Sequence, residues 1–214
     1  MKKLFITMVF VAATMFASAQ LFVGGNLGID MGTQKNKYDG TTRTDAKTFG
    51  FDFNPSVGFM FSDNMGVGLD ITFGFAKITN PKTDSDPENI DKVTTIGFAP
   101  YFRYVFAEVD NFNFYCDAKV NFSTAKAKNT NDGETSDGNK TMELGVNVVP
   151  GVQYNFTDNI SMVASLNVLK LGWNMEKVTS PKNAADNETV VTRNGFGLGI
   201  NDATPLTVGF VYTF

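Results

Sequence analysis

Eight stretches of this chain, one after another, alternate apolar residues with small or polar ones, and the apolar side of each carries no charge. Successive side chains of a strand point to opposite faces, so each stretch is a strand with one apolar and one polar face. The stretches cover residues 21–31, 48–61, 65–76, 93–106, 112–123, 142–156, 160–173 and 194–214. In the last, Leu206, Val208, Phe210, Tyr212 and Phe214 share one face, while Thr207, Gly209, Val211 and Thr213 share the other. A tilted strand crosses a bilayer in roughly 9 to 11 residues, a length every stretch reaches.

The connections alternate between short and long. Short turns are expected at 62–64, 107–111 and 157–159, where Asp and Asn hydrogen-bond their own backbone and tolerate left-handed conformations. Long polar segments fall at 32–47, 77–92, 124–140 and 174–193. An up-and-down barrel with one tight end and one loop end has this rhythm, so the expected fold is an all-β, eight-stranded antiparallel up-and-down transmembrane β-barrel. A ninth strand ending near Asn201 would put the chain ends on opposite sides, and residues 201–205 are read instead as a bulge. Pro55, Pro100 and Pro150 each stand six residues before an aromatic, Phe61, Phe106 and Phe156. This looks like one hairpin unit used three times, with each proline expected at a bulge because it cannot donate to the ladder.

The opposite faces must line an interior. They carry recurring glycine with Tyr101, Tyr115, Asn54, Asn121, Asn147 and Gln153, and the charged residues Asp52, Asp70, Arg103, Asp117, Lys119 and Glu143. Eight strands leave room only for side chains, so these six charges are expected to pair across a plugged lumen. A secreted soluble ligand-binding barrel would put its apolar face inside, and this polar face holds too few Lys and Glu for a solvated exterior. Phe22, Phe61, Phe106, Phe112, Phe156 and Phe214 are expected to form a girdle at the short-turn end. Phe49, Phe75, Phe122 and Trp173 make another at the loop end.

Residues 1–19 read as a cleaved signal peptide. Lys2 and Lys3 precede an apolar run too short to span a bilayer, followed by the small residues Ala17, Ser18 and Ala19. The barrel domain is then 20–214, and removing two of the 18 basic residues against 22 acidic ones leaves a net charge of about −6. No basic cluster invites nucleic acid. The chain has no histidine, which removes Ser-His, Cys-His and His-metal chemistry together, and its single cysteine, Cys116, makes neither an internal disulfide nor a thiolate metal site. A non-enzymatic protein without cofactor is expected.

These residues resemble the small bacterial outer-membrane β-barrel family of the OmpX and OmpA-membrane-domain type, over the whole chain after the leader. The specific part is the terminal Leu206-x-Val208-x-Phe210-x-Tyr212-x-Phe214, which looks like the signal such proteins present to the outer-membrane assembly machinery. The Ser18-Ala19-Gln20 junction and the small barrel are similar to members from Bacteroidota. The resemblance implies residence in the outer membrane, with membrane lipid and lipopolysaccharide as neighbours and an unidentified extracellular partner for the loops. Two roles follow as expectations: a structural or interaction protein with a plugged lumen, or a narrow porin-like channel for ions or small solutes.

Overall fold

A computed structural model describes residues 20–38, 41–81, 87–166, 169–181, 188–200 and 206–214, and most of them lie in strands. In chain order these are β1 (Gln20–Tyr38), β2 (Thr41–Ser62), β3 (Met65–Asn80), β4 (Asn89–Val109), β5 (Phe112–Asn131), β6 (Glu134–Asn155), β7 (Ile160–Leu166), β8 (Leu169–Thr179), β9 (Val190–Ile200) and β10 (Leu206–Thr213). All pairings are antiparallel. β7 and β8 both lie against β6, while β10 lies against β7 and β9 against β8, so the ten segments build eight wall strands. β10 returns to β1 with Phe22 opposite Thr213 and Gly25 opposite Phe210, and the Phe214 amide donates to the Leu21 carbonyl at 2.9 Å. The result is a closed eight-stranded antiparallel barrel, with no helix among the described residues. The expected leader at 1–19 and the expected bulge at 201–205 lie outside the described residues.

The wall is far taller than the alternation suggests. β2 and β6 each run 22 residues. At about 3.3 Å per residue and a tilt of about 40°, that is roughly 55 Å along the barrel axis, against an apolar band of about 25 Å. The segments read as long loops are largely continued ladder. β5 and β6 stay paired to Asn131 opposite Glu134, closed by Asp132 and Gly133 at φ 49° and 85°. Two central residues with positive φ suit a tight hairpin, and an Asp-Gly pair reaches that geometry at little cost. β1 and β2 likewise pair as far as Tyr38 opposite Thr41.

At the opposite end the three short turns share one device. The carbonyls of Asn64, Asn111 and Asn159 accept from the amides of Val105, Asn155 and Thr213 at 2.8, 2.9 and 2.8 Å. Each turn thereby ties down the wall strand beside its own hairpin. The proline repeat works differently from the expectation. Pro55 and Pro100 cause no register shift, because the ladder to the following strand skips them and resumes in the same register. The shifts fall between Met60 and Ser62 and between Val105 and Ala107, which makes Phe61 and Phe106 the extra residues. Proline therefore sits where its missing N–H is not needed, and the aromatic carries the bulge.

The chain is inside out relative to a water-soluble fold. Phe51, Phe53, Phe98, Phe106 and Phe210 are 40, 41, 49, 57 and 61% exposed, while the fully buried large side chains are Tyr115 and Asp117. Directly paired aromatics support the outer face: Phe53 stacks on Phe73 at 6.4 Å and Phe98 meets Phe122 at 5.2 Å, contacts of about 0.5 to 1.5 kcal/mol each. Rings at the turn end also touch, Phe112 with Tyr154 and Tyr212 with Phe214. Phe22 does not join that girdle. It points inward and is 4% exposed, packed with Tyr101 and Val211, because even-numbered positions of β1 face the lumen.

Candidate functional site: a sealed lumen beneath an open vestibule

Arg103 and Asp117 are paired residues of β4 and β5, near the turn end of each strand. Arg103 Nε donates to Asp117 Oδ1 at 2.8 Å and its Nη2 to Oδ2 at 2.9 Å, and the carboxylate is wholly buried. Lys119, one turn of the pleat higher on β5, donates from Nζ to Asp70 Oδ2 at 2.6 Å and stands 3.7 Å from Asp117 Oδ2. Two cations and two carboxylates thus balance. Burying these charges is costly, and the two-point Arg–Asp geometry offsets that cost where a single contact would not.

Aromatic rings complete the seal. The Arg103 guanidinium carbon lies 3.9, 5.4 and 5.8 Å from the ring centres of Tyr115, Tyr101 and Phe22, and Lys119 Nζ is 5.0 Å from that of Tyr101. Cations over ring faces gain electrostatic attraction that strengthens as water is excluded. Each tyrosine lies across a directly paired glycine. Tyr101 covers Gly68 of β3 and shares a hydrogen bond with Ser56 of β2 at 3.1 Å; Tyr115 covers Gly151 of β6 and shares one with Ser165 of β7 at 3.2 Å. A Cβ at either glycine would collide with the ring, so only glycine lets the rings lie flat against the wall. Below this level Gln153, Asn155 and Ser161 close a small hydrogen-bonded triangle.

Above the seal lies a cavity of about 1050 Å³ on the loop side. Asp70 and Lys119 form part of its floor, and Asn54, Asn121, Asn147 and Asn174 line its sides. Asp52 and Glu143 belong to this vestibule, which corrects the expectation that all six charges pair. Among the described residues, exposed Asp52 makes no ion pair and Glu143 accepts only from Ser123 Oγ at 3.4 Å. They stand too far up their strands to reach the Arg103 level, where the lumen narrows. Higher still, Arg193 Nη1 meets Glu176 Oε2 at 3.1 Å in an exposed pair. No group of three or more potential metal ligands occurs among the described residues.

Four of the six charges named from the sequence therefore come together, and two line the chamber above them. Sequence reasoning missed Ser56, Ser165, Phe22 and the pairing of Gly68 and Gly151 with the two tyrosines. Glycine directly opposite an inward tyrosine was a legible signal once the strand register was known. On the terminal strand, Val208, Phe210, Tyr212 and Phe214 all lie on the outer surface, with Gly209 and Val211 buried inside; the side chain of Leu206 lies outside the described set.

An inside-out antiparallel barrel with a polar, charge-paired interior defines an integral β-barrel of the outer membrane. The chain matches the outer membrane protein beta-barrel domain over residues 4–214, and it belongs to that family. An uncharacterized protein of Haemophilus influenzae is 25% identical over 179 residues, 83% of this chain and 94% of its own length. Among solved structures, OprG of Pseudomonas aeruginosa aligns over 92% of this chain and 95% of its own at 16% identity, with a TM-score of 0.52. Outer Membrane Protein W of E. coli covers 92% and 98% at 14% identity, with a TM-score of 0.42. The protein is thus an outer-membrane barrel.

Proposed function

We propose that this protein is a non-conducting, non-catalytic barrel whose sealed lumen stabilises it and whose tall outer hairpins present a surface to the environment. The observation that supports this most directly is the Arg103–Asp117 pair under Tyr101, Tyr115 and Phe22, which fills the cross-section where a pore would have to pass. Opening that level would break two charge-assisted hydrogen bonds in a dry site, a cost of about 3 to 5 kcal/mol. The paired ladders of β1–β2 and β5–β6 above the apolar band give the outer surface a rigid base on which a partner can be recognised. Outer-leaflet lipopolysaccharide is the natural neighbour of these hairpins, and the terminal strand is the segment proposed to engage the assembly machinery.

Single-channel recording of the refolded protein in planar bilayers tests the reading. The expected outcome is no reproducible conductance step, with small steps appearing in Asp117→Ala. Steady conductance in the wild type, altered by Arg103→Ala, would instead favour the channel. Shortening the β5–β6 hairpin above Ser123 and Glu143 is expected to leave assembly intact while reducing binding to cells, matrix or lipopolysaccharide. Unchanged binding by a barrel with all its hairpins shortened would remove the interaction role.

A further inference from the structure

Six lysines stand side by side on the outer surface of the wall, at the loop end. Lys77 of β3 is directly opposite Lys92 of β4, and Lys92 is opposite Lys128 of β5. Lys126, on the same face of β5, is opposite Lys140 of β6, and Lys177 of β8 lies diagonal to Lys140, opposite Met142. Directly opposed side chains share a face, with Cβ atoms about 5 Å apart and diagonal neighbours about 7 to 8 Å apart. The six therefore make one continuous patch on the face that carries Phe75, Ile96 and Trp173, and all but Lys77 are exposed.

The patch is almost all of one sign. Among the described residues the ion pairs are made by Arg103, Lys119 and Arg193, and none by these lysines. Asp137, opposite Lys128, is the acidic side chain on this face along the described ladders of β3 to β6. Like charges directly opposite each other are destabilising, yet this wall keeps three such pairs, in a chain that is acidic as a whole. An anion seated among them turns the repulsion into attraction. Height identifies the anion. Phe75 lies two residues below Lys77 on the same face, and Ile96, Phe122 and Trp173 lie four below Lys92, Lys126 and Lys177. At about 3.3 Å per residue and a tilt of about 40°, the lysines start about 5 to 10 Å above those apolar side chains. That is headgroup level, and a lysine stem lies along apolar surface while its ammonium stays above. An anion held there has acyl chains beneath it.

We propose that this patch binds the phosphate groups of an outer-leaflet lipid whose headgroup carries two or more phosphates, with the acyl chains against Phe75, Ile96, Phe122 and Trp173. The inference rests on the reading of the outer wall as a recognition surface, and it names the partner's chemistry. Several ammonium groups about 5 to 8 Å apart engage two phosphates of one headgroup at once, where a single phosphodiester meets only part of the patch. Lysine suits this task because its ammonium is a point charge on a flexible stem and needs no fixed phosphate orientation. The lysines also supply the positive charge that a divalent ion would otherwise supply between neighbouring phosphates, so the site needs no metal.

Trp173 is a built-in reporter, because it is the one tryptophan of the chain and faces outward below Lys177. The full barrel is reconstituted in vesicles of brominated phosphatidylcholine, whose chains quench Trp173, and unbrominated test lipids are added in steps. Relief of quenching gives the affinity of each lipid relative to phosphatidylcholine. Diphosphoryl lipid A is expected to be preferred at least about tenfold, monophosphoryl lipid A less and phosphatidylglycerol least. Lys126→Gln with Lys140→Gln and Lys177→Gln is expected to remove the preference, and arginine at the same three positions to keep it. Trp173→Phe with Phe106→Trp moves the reporter to the turn end, where no preference is expected. A chelator should change nothing, and heat-modifiable electrophoretic mobility reports that each variant is folded. Equal affinity for all the lipids, an unchanged preference in the glutamine variant, an equal preference at the turn end or a requirement for magnesium overturns the proposal. Full loss of the preference when inorganic phosphate or dextran sulfate is added at matched ionic strength assigns the patch to a free ion or a soluble polyanion, and overturns it too. The substituted barrels keep every hairpin, so binding to cells or matrix that survives in them while the lipid preference fails leaves the recognition reading standing without this inference.

Discussion

Arg103 stands opposite Asp117 on the neighbouring strand, so the ion pair buried in the lumen is also one rung of the barrel wall. β4 and β5 form one hairpin, so the pairing of consecutive strands is enough to bring the two charges together. The seal then needs only the rings of Tyr101, Tyr115 and Phe22 to exclude water.

Removing one partner should therefore cost more than removing both. Asp117→Ala leaves a buried guanidinium without its carboxylate and is expected to lose about 3 to 5 kcal/mol, whereas Arg103→Met with Asp117→Leu should lose far less. Reversible urea unfolding in lipid vesicles measures both. Equal losses would mean that the pair is not desolvated.

The exposed pair gives the contrast. Arg193 and Glu176 meet in water near the top of the wall, so Arg193→Ala is expected to change stability by no more than about 1 kcal/mol. The same unfolding measurement, repeated at high salt, should show even less. A loss as large as that of Asp117→Ala would place this pair in a dry site.

Each tyrosine depends on its glycine. A methyl group at Gly151 would push the Tyr115 ring off the wall and away from Ser165, at about 1 to 3 kcal/mol, and Gly151→Ala should be much better tolerated once Tyr115→Ala has removed the ring. A double-mutant cycle reads the coupling directly. Additive losses would show that the ring and the glycine act independently.

The lipid face predicts a sharp asymmetry within three residues. Phe210→Arg puts a charge into the apolar band and is expected to cost about 2 to 4 kcal/mol, whereas Thr213→Ser at the rim is expected to cost little. Similar tolerance at the two sites would invert the assignment of inner and outer faces.

Much of this architecture was legible because a strand writes its two faces into the sequence as alternate letters. Leu21, Phe59, Phe98 and Phe210 announce their side of the wall without any neighbour in view, and Asp117, Lys119 and Tyr115 announce the other. Depth along the wall is not written that way. A polar stretch such as 124–140 reads equally as loop or as ladder above the membrane, and the decision came from backbone pairing out to the Asp132–Gly133 turn. Phe22 misled for a related reason, since an aromatic near a strand end suits either the rim or the floor.

The sequence by itself determined the number of wall strands, the face that most of their residues take, and the three short turns at 62–64, 107–111 and 157–159. Those properties depend on nearest neighbours in the chain. Which charges meet and which glycines carry a ring were decided only by the tertiary structure. Both depend on the register between neighbouring strands, as when Arg103 meets Asp117 and Tyr115 meets Gly151.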